Sequence, residues 1–150
     1  MTTLHDFAEL ARSEQGLAVV STLRADRSIQ SSVVNIAVMP HPVEGDGDGD
    51  DIVAFVTYGK VKLGNLRVRP RLSVAVRSGW NWATAEGTAE IIGPDDPHPG
   101  YDADGIRLLL REIFVAAGGS HDDWDEYDRT MIADRRAAVL VRPARVYGNA

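Results

Sequence analysis

The sequence contains no cysteine, and this absence removes three kinds of chemistry. A disulfide framework, a thiolate metal site and a cysteine nucleophile all require that residue. The four histidines are scattered along the chain without the paired spacing of a zinc site. We therefore expect no bound metal, and the composition suits the reducing environment of the cytoplasm.

Long apolar runs are also missing. No run approaches the ~18 residues of a membrane span, and the first 16 residues include acids and have no signal-peptide core. We expect a cytoplasmic protein with no membrane partner. The length of 150 residues, of which 44% are hydrophobic, fits one domain over residues 1–150.

Several well-known catalytic and binding motifs do not occur. The chain has no G-x-S-x-G, G-x-G-x-x-G or G-x-x-x-x-G-K-[ST], which argues against a hydrolase elbow, a Rossmann fold and a P-loop. The run "DGDGDD" from Asp46 fails as a calcium loop because Asp51 and Thr57 stand where glycine and glutamate are needed. No side chain is identifiable as catalytic, so an enzyme of this sequence would rely on a bound cofactor.

Short β-rich runs recur along the chain. A hairpin is predicted around "RADRS", a third strand at "IVAFVTY", further strands at "RLSVAV" and "WNWATAEGTAEIIG", and a last strand at "AAVLV". Helices are predicted over 4–15, 61–69 and from 106 onward. The pattern predicts a mainly β fold with flanking helices, in which about six antiparallel strands form a small barrel.

One more helix is predicted near the C-terminus. Ser120 with Asp123 resembles a capping box, and Trp124, Tyr127 and Met131 follow at a 3,4 spacing. This apolar stripe favours a core or dimer contact over a cofactor site.

Basic residues are concentrated in one segment of an acidic chain. The net charge is -6, yet residues 52–85 carry six of the 16 basic residues and none of the 22 acids. A small basic segment on an acidic protein fits a compact anionic ligand better than nucleic acid, although a solvated face is the alternative. Lys60 and Lys62 fall at the start of the helix predicted over 61–69, where free N–H groups attract phosphate. Lys62, Asn65 and Arg69 share one helix face, which leaves Leu63 and Leu66 for the core.

Three segments resemble a known family. These are "K-x-x-N-L-x-x-x-P-R" at 62–71, "GWNWATAEGTAE" at 79–90, and "HDDWDEYDRTMIADRRAAVLVRPARVYG" at 121–148. In order and spacing they resemble the split β-barrel flavin and deazaflavin proteins related to pyridoxamine 5′-phosphate oxidase, most closely the B-type F420-dependent oxidoreductases. The resemblance implies an FMN-binding type of split β-barrel and a homodimer with a cofactor in each of two interface grooves.

The resemblance also implies which residues hold the cofactor, F420 or alternatively FMN. Lys60 and Lys62 would hold phosphate, and Asn65 would fix the adjoining loop. Arg135 or Arg136 would also face the groove. Trp80 and Trp82 would approach from the partner protomer, or else be ordinary barrel or interface aromatics. The positions that match the ring site are Gln30, Ser32, Val34 and Thr57.

The expected reaction is hydride transfer from reduced F420 to a small unsaturated organic substrate. The alternatives are an FMN oxidase or flavin reductase of the same fold, and an F420 carrier without catalytic activity. The chain ends at "VYGNA" without the arginine- and histidine-containing segment of pyridoxamine phosphate oxidases, which argues against vitamin B6 oxidation. The acidic loop 44–51 has no interpretation within the family.

Overall fold

The computed structural model describes residues 1–44 and 51–150, so most of the acidic loop lies outside the described residues. Four helices and six strands lie within these ranges. They are α1 (Leu4–Ser13), β1 (Leu17–Leu23), β2 (Ile29–Pro40), β3 (Asp51–Thr57), α2 (Lys60–Val68), β4 (Arg71–Ser78), β5 (Asn81–Ile92), α3 (Ala103–Ala116), α4 (Trp124–Ala133) and β6 (Ala137–Gly148).

The six strands form a closed antiparallel barrel in the order β1-β2-β3-β6-β5-β4, which confirms the predicted fold class. The last strand is longer than predicted, since it continues past "AAVLV" to Gly148 and pairs with β5 from Ala138 to Gly148. That pairing shifts register between Glu86 and Gly87. A Cβ on Gly87 would stand 2.1 Å from the Arg142 carbonyl oxygen, so the close approach of the two strands requires glycine.

Helix α1 packs against the barrel as a lid. Thr3 caps it by accepting from the Asp6 N–H at 3.2 Å, and the Asp6 carboxylate accepts from the Thr3 N–H at 2.9 Å. Its apolar face places Phe7 and Ala11 in the same core cluster as the inward side chains of the strands. The sequence periodicity therefore predicted both the helix and its buried side.

Helix α3 covers part of the barrel from outside. Leu109, Leu110 and Ile113 pack with outward residues of β2, β3 and β6 in a second core cluster. Ile106 and Phe114, which were predicted to be buried with them, are only half-buried. No helix within 1–44 and 51–150 has the length and apolar character needed to cross a membrane.

The predicted capping box at Ser120 is wrong. Asp123 is the N-cap of α4 and accepts from the Glu126 N–H at 3.1 Å, so the helix begins at Trp124. Both Ser120 and Asp123 are good capping residues, and tertiary packing selects between them. Tyr127 is buried against α3 and donates its hydroxyl to the Leu110 carbonyl at 3.1 Å, which makes this part of the stripe core.

One outer face of the barrel has no helix over it in the described chain. Outward side chains of β1 and β2 stand directly opposite one another there, as Val19 does with Val33 and Leu23 with Ile29. We call this surface the β1–β2 face. Its exposed apolar residues are Leu17, Val19, Leu23, Ile29 and Val33.

Candidate functional site

The barrel wall separates beside the first half of β2. β1 pairs with β2 over 29–35, but the ladder between β2 and β3 begins only at Ile36, opposite Phe55. β3 ends at Thr57, and α2 begins three residues later. A groove therefore lies between the unpaired edge of β2 and the start of α2, and the predicted ring-site residues of β2 flank it.

The start of α2 is rich in donors and lacks acids. Its N-cap is Gly59, which has no side chain to cap the helix, and the first turn contains no acidic residue. The first backbone N–H to bond within the helix is that of Leu63, which donates to the Gly59 carbonyl at 2.9 Å. The N–H groups at 60–62 are thus available to an anion.

Lys62 is the unusual residue of this turn. Its side chain is only 5% exposed, no ion pair of the described residues includes it, and its Nζ lies 5.8 Å from the centre of the Phe55 ring. Burial lowers the pKa of Lys62 from its ordinary value. Lys60, by contrast, is exposed. A buried cation without an acid is unfavourable unless an anionic ligand completes the site.

Thr57 joins this cluster. It is 5% exposed, and its Oγ1 accepts from the Gly59 N–H at 3.2 Å. A Cβ built on Gly59 would lie 3.6 Å from both Thr57 Oγ1 and Lys62 Cε. Thr57 and Lys62 therefore lie on the same side of the turn.

A hydrogen-bonded chain links α2 to β1 and β2. Arg69 Nη2 lies 3.5 Å from Asn65 Oδ1, and Asn65 Nδ2 donates to Thr22 Oγ1 at 3.0 Å. The Thr22 hydroxyl donates to Gln30 Oε1 at 2.8 Å. Asn65 thus connects α2 to Gln30 of β2 through Thr22 of β1. Thr22 was missed by the sequence analysis, because nothing in a single strand marks a threonine that bridges two other elements.

Ser32 carries a polar atom that needs a partner. Its Oγ is buried and is without a hydrogen-bond partner in the described part of the chain. A buried hydroxyl in this condition is uncommon and disfavours the structure unless something binds it. Val34, two residues along, is half-buried against the main core cluster. The donor set fits a flavin-type cofactor: N–H groups and a cation at one end, and an orphan hydroxyl and an amide at the other.

The structure does not bring the two predicted tryptophans to this cluster. They lie at the β4–β5 hairpin, where Gly79 adopts φ +60° in a two-residue turn. Trp80 is 94% exposed and Trp82 41% exposed, so neither is a buried barrel aromatic. Asn149 holds the turn by accepting from the Trp82 N–H at 2.7 Å and donating to the Trp80 carbonyl at 2.8 Å.

The remaining arginines separate into two groups. Arg136 lies 4.2 Å over the ring of Tyr58, next to the start of α2, and pairs with Asp134 at 3.2 Å. Arg135 points away, to an ion pair with Asp95. Arg67 forms a bidentate pair with Asp96 at 2.8 and 2.7 Å, so its charge is already compensated.

Two histidines that are distant in sequence converge on one glutamate. His41 Nε2 lies 3.0 Å from Glu90 Oε1, and His98 Nε2 lies 3.4 Å from Glu90 Oε2. His41 Nδ1 accepts from the Val43 and Glu44 N–H groups at 3.2 Å. Within the described ranges no three His, Cys, Asp or Glu residues have the arrangement of a metal site. The His41 cluster therefore anchors the start of the acidic loop.

Two cavities lie outside the Lys62–Thr57–Ser32 cluster, and the smaller of them includes Thr22 in its lining. One of about 540 Å³ lies between α3, α4 and the segment 93–104, and another of about 380 Å³ lies between β1, β4, β5 and β6. Neither is lined by Lys62, Thr57 or Ser32.

The barrel, its flanking helices and the basic helix start beside the groove define a split-barrel fold of the FMN-binding type. The chain belongs to the pyridoxamine 5′-phosphate oxidase family, whose sequence model matches residues 4–149. The predicted family and fold are thereby confirmed, while the B-type subdivision is not tested by this match.

Solved structures show the same architecture. A conserved hypothetical protein of Mycobacterium tuberculosis matches with a TM-score of 0.68 and 19% identity, over 99% of this chain and 84% of that one. An F420 reductase matches with a TM-score of 0.58 and 16% identity, over 87% and 88%. An FMN-binding protein of Nostoc punctiforme related to pyridoxamine 5′-phosphate oxidase matches with a TM-score of 0.58 and 14% identity, over 97% and 84%. At such identities the likeness shows the fold alone.

Proposed function

We propose that this protein is a homodimeric oxidoreductase that binds F420 and transfers hydride from the reduced deazaflavin to a small unsaturated organic substrate. The observation that carries the proposal is Lys62, a buried cation without an acid partner at the uncapped start of α2. Family membership and the fold shared with an F420 reductase support a flavin-type cofactor.

Lys62 and the N–H groups at 60–62 would hold the cofactor's phosphate. A phosphate there would bind three groups at once: the free N–H groups, the positive end of the helix dipole and the Lys62 ammonium, which has no acid partner among the described residues. Lys60, exposed on the same turn, adds a second cation at the rim. Asn65 anchors α2 to β1 through its hydrogen bond to Thr22, which keeps the first turn of the helix in place.

Gln30, Ser32, Val34 and Thr57 would contact the ring. Bound F420 supplies hydride donation from its reduced ring, a chemistry that no side chain here provides. The protein orients the ring through the Gln30 amide and Ser32 hydroxyl, and Val34 keeps the apolar side of the groove dry. Catalysis would rest on this orientation and on exclusion of water, without a side chain acting as acid or base.

F420 is favoured over FMN because of the spread of cations. Lys60 and Lys62 lie in the first turn of α2, and Arg136, which also pairs with Asp134, lies over Tyr58 beside it, while FMN offers a single phosphate. F420 carries a phosphodiester and a carboxylate-rich tail, which give several cations a partner. FMN is the second candidate, since an FMN-binding protein has the same fold.

The β1–β2 face would be the dimer interface. A row of five exposed apolar side chains on two neighbouring strands is a surface that association removes from water. Trp80 and Trp82 project from the nearby β4–β5 hairpin and would reach the partner's groove. In this arrangement the partner subunit would cover the groove.

A cytoplasmic location also stays a prediction.

The experiment is a titration of the purified protein with F420 and FMN in parallel, followed by absorbance and fluorescence. Saturable binding of F420 with weaker FMN binding supports the proposal, and binding of FMN alone supports the second candidate. Turnover of reduced F420 with a panel of conjugated acceptors then separates a reductase from a cofactor carrier. Absence of binding by both cofactors would reject the proposed function.

A further inference from the structure

Four polar side chains form a hydrogen-bonded chain whose direction is set by its first member. The guanidinium of Arg69 can only donate, and it is held by a 3.0 Å bond from Nε to the Leu23 carbonyl. Its Nη2 faces Asn65 Oδ1 at 3.5 Å. The Asn65 amide therefore turns its oxygen to Arg69 and its nitrogen to Thr22, because the opposite orientation would place two donors face to face.

Thr22 fixes the donor-to-acceptor direction of the hydrogen bond to Gln30. Thr22 is 1% exposed, and its hydroxyl has a single proton. Since it accepts from Asn65, it donates that proton to Gln30 Oε1. A reversed Gln30 amide would leave the buried hydroxyl proton without an acceptor, which is strongly disfavoured. Gln30 Nε2 donates to no atom of the described residues. Because Oε1 is bound to Thr22, Nε2 is the group through which Gln30 can bind a ligand.

We propose that Thr22 and Arg69 are positioning residues that fix Gln30 as a hydrogen-bond donor, so that this end of the groove selects an acceptor edge of the ligand. This inference rests on the proposed function, because it takes the ring to lie against Gln30. Carbonyl oxygens of a pyrimidinedione edge, or the negative charge that reduction places on it, match such a donor. The orphan Ser32 hydroxyl lies on the same face of β2 and accommodates either a donor or an acceptor.

The first arm of the test uses the free protein. Thr22→Val keeps the shape of the side chain and removes the hydroxyl, while Thr22→Ser keeps the hydroxyl and is the control. Side-chain amide signals of Asn65 and Gln30 are followed by ¹⁵N–¹H NMR. In the wild type and Thr22→Ser, one Asn65 amide proton is expected to be shifted downfield by its bond to residue 22. In Thr22→Val that shift should disappear in an otherwise unchanged spectrum.

The second arm measures binding of F420 and FMN and the visible absorption of the bound cofactor. Loss of Thr22's hydroxyl is expected to weaken binding about two- to tenfold and to move the absorption band, whereas Thr22→Ser restores both. Gln30→Glu, which offers an acceptor in place of the donor, should weaken binding more than Gln30→Met does.

The outcomes separate this inference from the proposed function. If cofactor binds and Thr22→Val matches the wild type in affinity and spectrum, the positioning role is wrong and the proposed function stands. If neither cofactor binds the wild type, the proposed function is wrong, and the NMR experiment alone tests the hydrogen-bonded chain from Arg69 to Gln30. Unchanged Asn65 signals in Thr22→Val would contradict this chain, and loss of the downfield shift would support it.

Discussion

Replacing Lys62 by methionine tests whether its buried charge serves a ligand. The side chain is 5% exposed, and methionine matches its aliphatic stem, so the substitution removes the charge and little of the packing. A charge-assisted hydrogen bond contributes about 1.5 to 3 kcal/mol, which corresponds to a loss of affinity of about ten- to 150-fold. Fluorescence titration with F420, repeated with FMN, measures this loss.

Without a ligand, the same substitution should leave the stability of the protein unchanged or raise it. Because burial lowers the pKa of Lys62 below 10.5, the folded state binds fewer protons than the unfolded chain between the lowered value and 10.5. Stability linked to this group therefore rises with pH through that window, and the charged form opposes folding at neutral pH. Lys62→Met should melt at the same or a higher temperature than wild type at pH 7. This advantage should shrink as the pH approaches 10.5.

Arg67→Met is the matched control, because Arg67 belongs to the same helix but its charge is paired with Asp96. Its affinity for cofactor is expected to stay within about twofold of wild type, since a partly exposed ion pair contributes little. Lower stability of Lys62→Met with unchanged affinity would identify a structural lysine. Unchanged affinity of Lys62→Met for both cofactors would contradict a phosphate contact at Lys62.

Three further predictions concern other parts of the molecule. Val33→Lys, which places a charge on the β1–β2 face, should shift the protein from a dimer to a 16.3 kDa monomer in light scattering; a wild type that is already monomeric would contradict the interface. Trp80→Ala should weaken cofactor binding without lowering the melting temperature, because the side chain is 94% exposed; equal affinity would eliminate its role in the groove. Tyr127→Phe removes the hydroxyl bond to the Leu110 carbonyl and should destabilise the protein by about 0.5–1.5 kcal/mol in urea unfolding, with cofactor affinity unchanged.

The barrel and the inner face of α2 were predictable because both depend on short-range periodicity. Alternation along "GLAVVSTL" and "IQSSVV" indicates strands whatever lies across the sheet. The helical spacing predicted Leu63 and Leu66 as core residues, and both lie in the main core cluster. Burial of Lys62 and Asn65 was not predicted.

The remaining features depend on contacts between distant parts of the chain. Thr22, Gln30 and Asn65 come from three elements, so their chain appears only when β1, β2 and α2 are packed together. The start of α4 was predicted three residues too early, because burial of Tyr127 against Leu110 favours the cap at Asp123. The convergence of His41 and His98 on Glu90 also depends on contacts between distant parts of the chain.

We propose that the groove beside α2 binds F420 through the phosphate end of the cofactor. Isothermal titration calorimetry of the wild-type protein with F420, FMN and the phosphate-free deazaflavin tests it most directly. We expect one F420 per protomer, weaker binding of FMN, and loss of phosphate to weaken deazaflavin binding at least tenfold. Equal affinity for the deazaflavin with and without its phosphate, or tight FMN binding with no heat from F420, would contradict the account.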